Sequence, residues 1–208
     1  MLDASLRRYI DPPLDRAGTL LAARGISADW ITLGGFAVGV AAMLAVSAEA
    51  YGTALALIAV NRLADGLDGA VARHSRLTDL GGFLDIVLDF IVYAGLVFGF
   101  AVADPERNAL AASFLLFAFM GTGSAFLAFA IMAAKRQIST DLRGRKSLYY
   151  LGGLAEGTET ILFLALACLL PDHFAALALL FGIMCWLTTL GRVVAGYQLL
   201  REQGADTA

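Results

Sequence analysis

The sequence predicts an all-α integral membrane protein in which six transmembrane helices follow an N-terminal interfacial amphipathic helix. Of the 208 residues, 59% are hydrophobic and 16% are charged, whereas soluble domains are about half apolar and about a quarter charged. The apolar residues are gathered into six runs, each near the roughly 20 residues that a membrane-spanning helix needs. A chain of this length holds six such helices and little else, so we predict a single membrane-embedded domain over residues 1–208.

The segment ahead of the first span, residues 1–27, reads as a juxtamembrane helix. Leucine and isoleucine recur among arginine and aspartate over residues 2–24, a pattern typical of a helix lying along the membrane surface. The segment has no continuous apolar stretch, so we do not expect a cleaved signal peptide. The Pro12-Pro13 pair predicts that the helix breaks or restarts there.

The six-helix bundle is predicted over residues 28–200, with a short tail at 201–208. Helices are expected because a single span in lipid has to satisfy its own backbone hydrogen bonds. Asp29 is predicted to cap the first helix, just before Trp30 at the membrane boundary. Two glycine pairs with helical spacing predict close helix packing, or a dimer interface. The predicted spans are 30–48, 52–73, 80–103, 109–134, 148–170 and 174–199, and the glycine pairs are Gly35/Gly39 and Gly95/Gly99.

The charges between the spans predict the orientation. Lysine and arginine accumulate in the two tails and in alternate loops, and the other loops are mainly acidic. Because basic residues collect on the cytoplasmic side, we predict a multi-pass protein of the cytoplasmic (inner) membrane with both termini in the cytoplasm. The net charge of −3 says little, because the placement of the charges matters more than their sum, and we expect no nucleic-acid partner. The basic residues are Arg7, Arg8, Arg16, Arg24, Arg73, Arg76, Lys135, Arg136, Arg143, Arg145, Lys146 and Arg201.

Four aspartates lie in or beside the second and third predicted spans. Asp65 and Asp68 are three residues apart, and Asp85 and Asp89 are four apart, so each pair lies on one face of its helix. A short turn joins the two helices, which must therefore be antiparallel and can bring the pairs together. Carboxylates at membrane depth require a compensating partner. Hard oxygen ligands select Mg²⁺, Mn²⁺ or Ca²⁺ over softer metals, and we predict one or two Mg²⁺ or Mn²⁺ ions per site.

Glycines and an arginine accompany the aspartates. Each of the four glycines costs about 1 kcal/mol of helix stability relative to alanine, so their concentration suggests that a ligand approaches the backbone closely. Arg73 supplies a fixed positive charge one turn beyond Asp68, which suits a phosphate oxygen. These features together predict a pyrophosphate site. The four glycines are Gly66, Gly69, Gly81 and Gly82.

This stretch resembles the signature of the CDP-alcohol phosphotransferases (CDP-alcohol phosphatidyltransferases). The eight matching positions span 25 residues, and the six-helix layout with a preceding surface helix is also similar to that family. The match reads Asp65-x2-Asp68-Gly69-x2-Ala72-Arg73-x7-Gly81-x3-Asp85-x3-Asp89.

The resemblance implies a reaction. Family members transfer a phosphatidyl-type group from a CDP-linked lipid, usually CDP-diacylglycerol, to a small alcohol and release CMP, which implies a role in phospholipid biosynthesis with the active site open to the cytoplasm. It also implies a homodimer. By resemblance, Asp65, Asp68, Asp85 and Asp89 bind the metal, and Asp89 is also the general base. The residues expected to bind the cytidine diphosphate are Gly69, Ala72, Arg73, Gly81 and, as a weaker candidate, Thr78.

Two other classes of protein use similar residues. Intramembrane carboxylates also serve cation-dependent transporters, which we keep as the alternative. Aspartate-rich prenyltransferases bind Mg²⁺-diphosphate, but their motifs usually form two separated clusters, unlike the continuous signature here.

The acceptor alcohol stays open. Lys135, Arg143 and Arg145 favour a phosphorylated acceptor such as glycerol phosphate or inositol phosphate, although basic loops also follow from membrane topology. Glu156 and Glu159 favour a cationic acceptor such as choline, ethanolamine or serine, or else pair with Arg192 or Arg62. Arg192, a charge within the last span, either pairs with a carboxylate or binds substrate.

Overall fold

The computed structural model describes residues 3–135 and 153–205. These residues form seven α-helices and a short 3₁₀ turn at Pro171–His173, with no β-strand among them. The all-α prediction is therefore confirmed for the described chain. The helices are α1 (Asp3–Ala23), α2 (Ala28–Ser47), α3 (Tyr51–His74), α4 (Asp79–Ala103), α5 (Pro105–Lys135), α6 (Gly157–Leu169) and α7 (Phe174–Ala205).

Four segments are long and apolar enough to cross a membrane: α2, α4, α5 and Pro171–Gln198. The protein is accordingly an integral membrane protein, while the count of six spans stays a prediction. Helix α3 has 24 residues but carries the charges of the aspartate motif. Helix α6 has 13 described residues, about 20 Å at 1.5 Å per residue, and part of its predicted span falls in 136–152, outside the described residues.

Helix α1 runs through Pro12 and Pro13 without interruption, so the predicted break at this pair is wrong. Each proline removes one backbone donor, but contacts with α3 hold the residues that follow. A methyl group added at Gly18 would lie 2.7 Å from Cβ of Ala70, and one at Gly66 would lie 2.7 Å from Cδ1 of Leu14. Tertiary packing on α3 therefore outweighs the local cost of the prolines. The location of α1 at the membrane surface stays a prediction.

Both glycine pairs pack within the chain. A Cβ at Gly35 would lie 3.0 Å from Cβ of Ala64, and one at Gly39 would lie 2.5 Å from Cγ2 of Val92. Gly95 and Gly99 face Met43 of α2 in the same way. The pairs thus allow α2 to approach α3 and α4 closely, as the packing prediction requires.

A stack of aromatic rings fixes the end of the bundle opposite the α3–α4 turn. The ring of Phe100 lies 4.3 Å from that of Phe174 and 5.6 Å from that of Tyr51, centroid to centroid. Phe163 continues the stack to Phe181 at 4.8 Å. Phe100 and Phe174 are fully buried. The rings join α3, α4, α6 and α7 at one end and leave the aspartate motif at the other.

Candidate active site

The turn between α3 and α4 brings the two aspartate pairs to the same end of the bundle. Thr78 is the N-cap of α4, and its Oγ1 accepts a hydrogen bond of 3.0 Å from the backbone nitrogen of Gly81. A Cβ at Gly81 would lie 3.1 Å from that oxygen and 3.2 Å from Oδ1 of Asp29, so glycine keeps the entry of α4 open. Asp29 itself does not cap α2, because Ser27 is the N-cap and the helix begins at Ala28.

Asp65, Asp68 and Asp85 form the candidate metal centre. One carboxylate oxygen from each can be chosen so that all three lie within 4.8 Å of one another. Three hard oxygen donors at this separation suit a divalent cation such as Mg²⁺ or Mn²⁺. The aspartates differ in exposure, since Asp68 is buried, Asp65 is half-buried and Asp85 is exposed.

Asp68 is held from the second helix. Oγ1 of Thr32 donates a hydrogen bond of 2.6 Å to Oδ2 of Asp68. Asp68 is 6% exposed, and a buried carboxylate needs such partners. Outer partners of this kind orient metal ligands, so Thr32 is a functional candidate that the sequence analysis did not select.

Asp89 lies beside these three carboxylates but has a different set of partners. Nη2 of Arg62 donates to Oδ1 of Asp89 at 2.6 Å, and Nη1 donates to Oδ2 at 3.1 Å. The hydroxyl of Tyr93 also donates to Oδ2, at 2.9 Å. The same guanidinium lies 3.5 Å from Oδ2 of Asp65. Arg62 therefore provides a fixed positive charge between the two aspartate pairs.

From the sequence, Glu156 and Glu159 are candidate partners of Arg62. The structure pairs it with the aspartates instead, and the spacing contained a signal for this. Arg62 precedes Asp65 by three residues, so both lie on one face of α3. The bond to Asp89, 27 residues away, depends on how α3 and α4 meet and is not readable from spacing.

Arg73 and Gly69, both predicted to contact the nucleotide, lie next to each other. A Cβ at Gly69 would lie 3.5 Å from Nη1 of Arg73, so the missing side chain leaves room beside the guanidinium. Nη2 of Arg73 donates to Oδ1 of Asp15 on α1 at 2.8 Å. Ala72 is half-buried on the same helix.

The cleft at this end of the bundle contains all four aspartates together with Arg62. Its other walls come from α2, α3 and α4, with a threonine, a glycine, an asparagine and a leucine. The lining residues are Thr32, Gly35, Asn61, Arg62, Asp65, Asp68, Asp85, Leu88 and Asp89.

The candidate acceptor contacts are spread over α5, α6 and α7. Lys135 is exposed in the last turn of α5, and Arg143 and Arg145 lie outside the described residues. Nη1 of Arg192 donates to Oγ1 of Thr122 at 2.8 Å and to the carbonyl oxygen of Thr122 at 3.1 Å.

The two glutamates have roles at the start of α6. Glu156 is its N-cap, and a carboxylate oxygen of Glu156 accepts a hydrogen bond of 2.8 Å from the backbone nitrogen of Gly153. Oε2 of Glu159 accepts from the backbone nitrogen of Glu156 at 3.2 Å. This capping gives both carboxylates a structural role, and their predicted contact with a cationic acceptor stays a prediction.

Comparison with known proteins gives consistent matches. The family model for CDP-alcohol phosphatidyltransferase matches residues 25–194. The chain is 55% identical over 202 residues to the inner membrane protein YnjF of Escherichia coli strain K12, covering 97% of this chain and 98% of that protein. It is 29% identical over 191 residues to archaetidylinositol phosphate synthase of Pyrococcus horikoshii, covering 91% and 94%.

A solved structure shares the fold. The phosphatidylinositol phosphate synthase PgsA1 of Mycobacterium tuberculosis, crystallised with CDP-DAG bound, superposes with a TM-score of 0.69 at 19% identity. The match covers 88% of this chain and 93% of that one.

Proposed function

The chain belongs to the CDP-alcohol phosphatidyltransferase family, and we propose that it transfers a phosphatidyl group from CDP-diacylglycerol to a small phosphorylated alcohol and releases CMP. The observation that carries the proposal is the close grouping of Asp65, Asp68 and Asp85 within the family signature. The fold match to a synthase crystallised with CDP-DAG supports the choice of donor. The transporter alternative gains no support from these matches.

The proposed donor site uses the C-terminal end of α3. Arg73 supplies donors for the diphosphate, and Gly69 and Gly81 leave the backbone accessible beside it. Asp65, Asp68 and Asp85 would hold Mg²⁺ or Mn²⁺. Asp89, which the resemblance also counts among the metal ligands, is paired with Arg62 and Tyr93 and is proposed as the base. A bound divalent ion supplies charge neutralisation at the diphosphate oxygens.

The proposed chemistry is one in-line displacement at phosphorus. An acceptor hydroxyl oxygen forms a bond to the phosphorus that carries the diacylglycerol, and the bond from that phosphorus to the CMP oxygen breaks. Asp89 receives the hydroxyl proton, and CMP leaves with the bonding electron pair. Holding both reactants in the cleft beside Asp89 removes much of the entropic cost of bringing them together in the reactive geometry.

A phosphorylated acceptor is favoured by Arg192. This side chain is 8% exposed, and it is fixed to Thr122 on α5. The next residue, Gly123, packs on the ring of Phe90, where an added Cβ would lie 2.8 Å from Cε1. Phe90 follows Asp89 in the sequence, so this packing sets the Arg192–Thr122 contact against the turn of α4 that carries Asp89, although Arg192 is not among the residues that line the cleft. The name of the archaeal relative, archaetidylinositol phosphate synthase, supports inositol phosphate as the first acceptor to test.

The site is proposed to face the cytoplasm. The end of the bundle that carries the aspartates also carries Arg24, Arg76, Lys135 and Arg201, whereas the opposite end carries Arg107 among the described residues. Basic residues mark the cytoplasmic side. A homodimer, proposed from the family resemblance, would use apolar surface other than the glycine pairs, which pack internally.

CMP release by the purified protein in detergent tests the proposal. CDP-diacylglycerol and Mn²⁺ or Mg²⁺ are supplied with inositol 1-phosphate, glycerol 3-phosphate, inositol, serine or choline in turn. We expect metal-dependent CMP release with a phosphorylated acceptor. Release with choline or serine would contradict the choice of acceptor, and no release with any of them would contradict the donor and reaction.

A variant pair tests the role of Arg192. Arg192→Gln is expected to raise KM for the phosphorylated acceptor about tenfold, with KM for CDP-diacylglycerol unchanged, since a charge-assisted bond to phosphate contributes about 1.5–3 kcal/mol. Arg201→Gln is the control, because Arg201 is an exposed cation farther along α7. Equal effects of the two variants would contradict the assignment.

A further inference from the structure

The guanidinium of Arg62 has all five of its N–H donors engaged. Nη1 donates to Oδ2 of Asp89 and to the hydroxyl of Tyr93, and Nη2 donates to Oδ1 of Asp89 and to Oδ1 of Asn61. Nε makes the fifth bond, to Oδ1 of Asn61 at 2.9 Å. An arginine has five such donors in a rigid planar fork, so these bonds fix the plane of the group.

Asn61, which accepts two of these hydrogen bonds from Arg62, is itself held in place by a further hydrogen bond. Nδ2 of Asn61 donates a hydrogen bond of 2.8 Å to the carbonyl oxygen of Gly35 on α2, and Asn61 is 5% exposed. The guanidinium carbon of Arg62 also lies 5.2 Å from the centre of the Tyr93 ring. Three helices therefore hold the arginine in place.

The consequence for Asp89 follows from its acceptor positions. A carboxylate offers roughly four lone-pair sites. Within the described residues, Oδ2 accepts from Arg62 and Tyr93, and Oδ1 accepts from Arg62. The position left for another partner is on Oδ1, so the network defines which oxygen of Asp89 faces a reactant.

We propose that Arg62 is a positioning residue which, together with Tyr93, fixes the Asp89 carboxylate and presents Oδ1 to the acceptor hydroxyl. The inference rests on the proposed function, because it assumes that Asp89 receives the proton. Arg62 touches no reacting atom in this scheme and acts through Asp89. This role requires the planar pair of guanidinium donors as well as the positive charge. Lysine has the charge, but its three donors do not form a planar pair.

The test compares Arg62→Lys, Arg62→Gln and Tyr93→Phe with the wild-type protein. For Arg62→Lys we expect kcat for CMP release to fall about 10- to 100-fold, with KM for CDP-diacylglycerol within about threefold, because misplacing a catalytic group by about 1 Å costs on the order of 100-fold. Tyr93→Phe keeps the ring and is expected to lower kcat by about 3- to 10-fold, since it removes one of the bonds on Oδ2. Arg76→Gln is the control, because Arg76 is exposed in the α3–α4 turn.

Mn²⁺ binding, measured by electron paramagnetic resonance without substrates, separates positioning from a general loss of structure. Arg62→Lys should bind Mn²⁺ with wild-type affinity, and Arg62→Gln should bind it equally or more tightly, because a cation beside the three aspartates is removed. Loss of Mn²⁺ binding together with kcat would overturn the proposal. So would wild-type kcat in Arg62→Lys or, where the Arg62 variants do not fold, in Tyr93→Phe.

The wild-type assay distinguishes the two possible failures. A wild-type protein that releases no CMP would remove the proposed function and the inference with it. If the wild-type protein releases CMP and the Arg62→Lys and Tyr93→Phe variants have the same kcat, the inference alone would be removed.

Discussion

Nη2 of Arg73 lies 2.8 Å from Oδ1 of Asp15, which joins α1 to the end of α3 that carries the aspartate motif. The side chains are 47% and 43% exposed, so the pair contributes at most about 1 kcal/mol to stability. Its larger consequence concerns charge. The carboxylate of Asp15 pairs with the guanidinium of Arg73, the same group that we propose binds the diphosphate of the donor.

Asp15→Asn is expected to lower KM for CDP-diacylglycerol about threefold. The amide oxygen still accepts a hydrogen bond, whereas the repulsion between Asp15 and the diphosphate is lost, which in water is about 1 kcal/mol at 4 Å. Asp11→Asn removes the same charge one turn earlier on α1 and serves as the control. A higher KM in Asp15→Asn would mean that the carboxylate orients Arg73 productively.

Thr32→Val is expected to weaken Mn²⁺ binding about 10-fold, in the range of 10- to 100-fold typical for partners of metal ligands. Valine keeps the shape of threonine but removes the donor to the buried Asp68. Thr53→Val is the matched control, since Thr53 is exposed near the other end of α3. Mn²⁺ titration of the purified variants provides the measurement, and equal affinities in the two variants would contradict the role of Thr32.

Much of this site was predictable from spacing alone. Asp65 and Asp68 sit near the end of one helix, and Asp85 and Asp89 near the start of the next, so a short turn between them had to bring the pairs together. The helical periods of three and four residues then determine which side chains share a face. This reasoning predicts that all four aspartates meet, and in the structure Asp65, Asp68 and Asp85 form the close group while Asp89 lines the same cleft.

The partners of Asp89 and Asp68 could not be predicted in the same way. Arg62 and Thr32 reach their aspartates across helix interfaces, and these contacts depend on helix rotation and side-chain rotamers. The prolines of α1 predicted a helix break that does not occur, because tertiary packing outweighs their local effect. Their local cost is real, but the packing of Gly18 on Ala70 supplies the stabilisation that local propensity omits.

Removal of divalent metal is expected to abolish CMP release, and added Mg²⁺ or Mn²⁺ should restore it. Asp85→Asn should lower kcat more than 100-fold and weaken Mn²⁺ binding, a larger effect than the roughly 10- to 100-fold typical of outer partners. Asp79→Asn is the control, because Asp79 is an exposed carboxylate in the first turn of the same helix. Activity that persists in excess chelator would exclude a catalytic metal at this cluster.

The aromatic stack opposite the site is expected to govern stability without affecting substrate binding. Phe100→Ala removes a fully buried ring that stacks on Phe174 at 4.3 Å, and it should lower the free energy of unfolding by about 3 kcal/mol through the cavity it leaves. Phe98→Ala is the control, because Phe98 is 56% exposed on the same helix and its ring is replaced by lipid or detergent. Thermal unfolding in detergent should separate the two variants by several degrees, while KM for CDP-diacylglycerol stays at the wild-type value in both. A changed KM in Phe100→Ala would mean that the stack also sets the geometry of the cleft at the far end of α4.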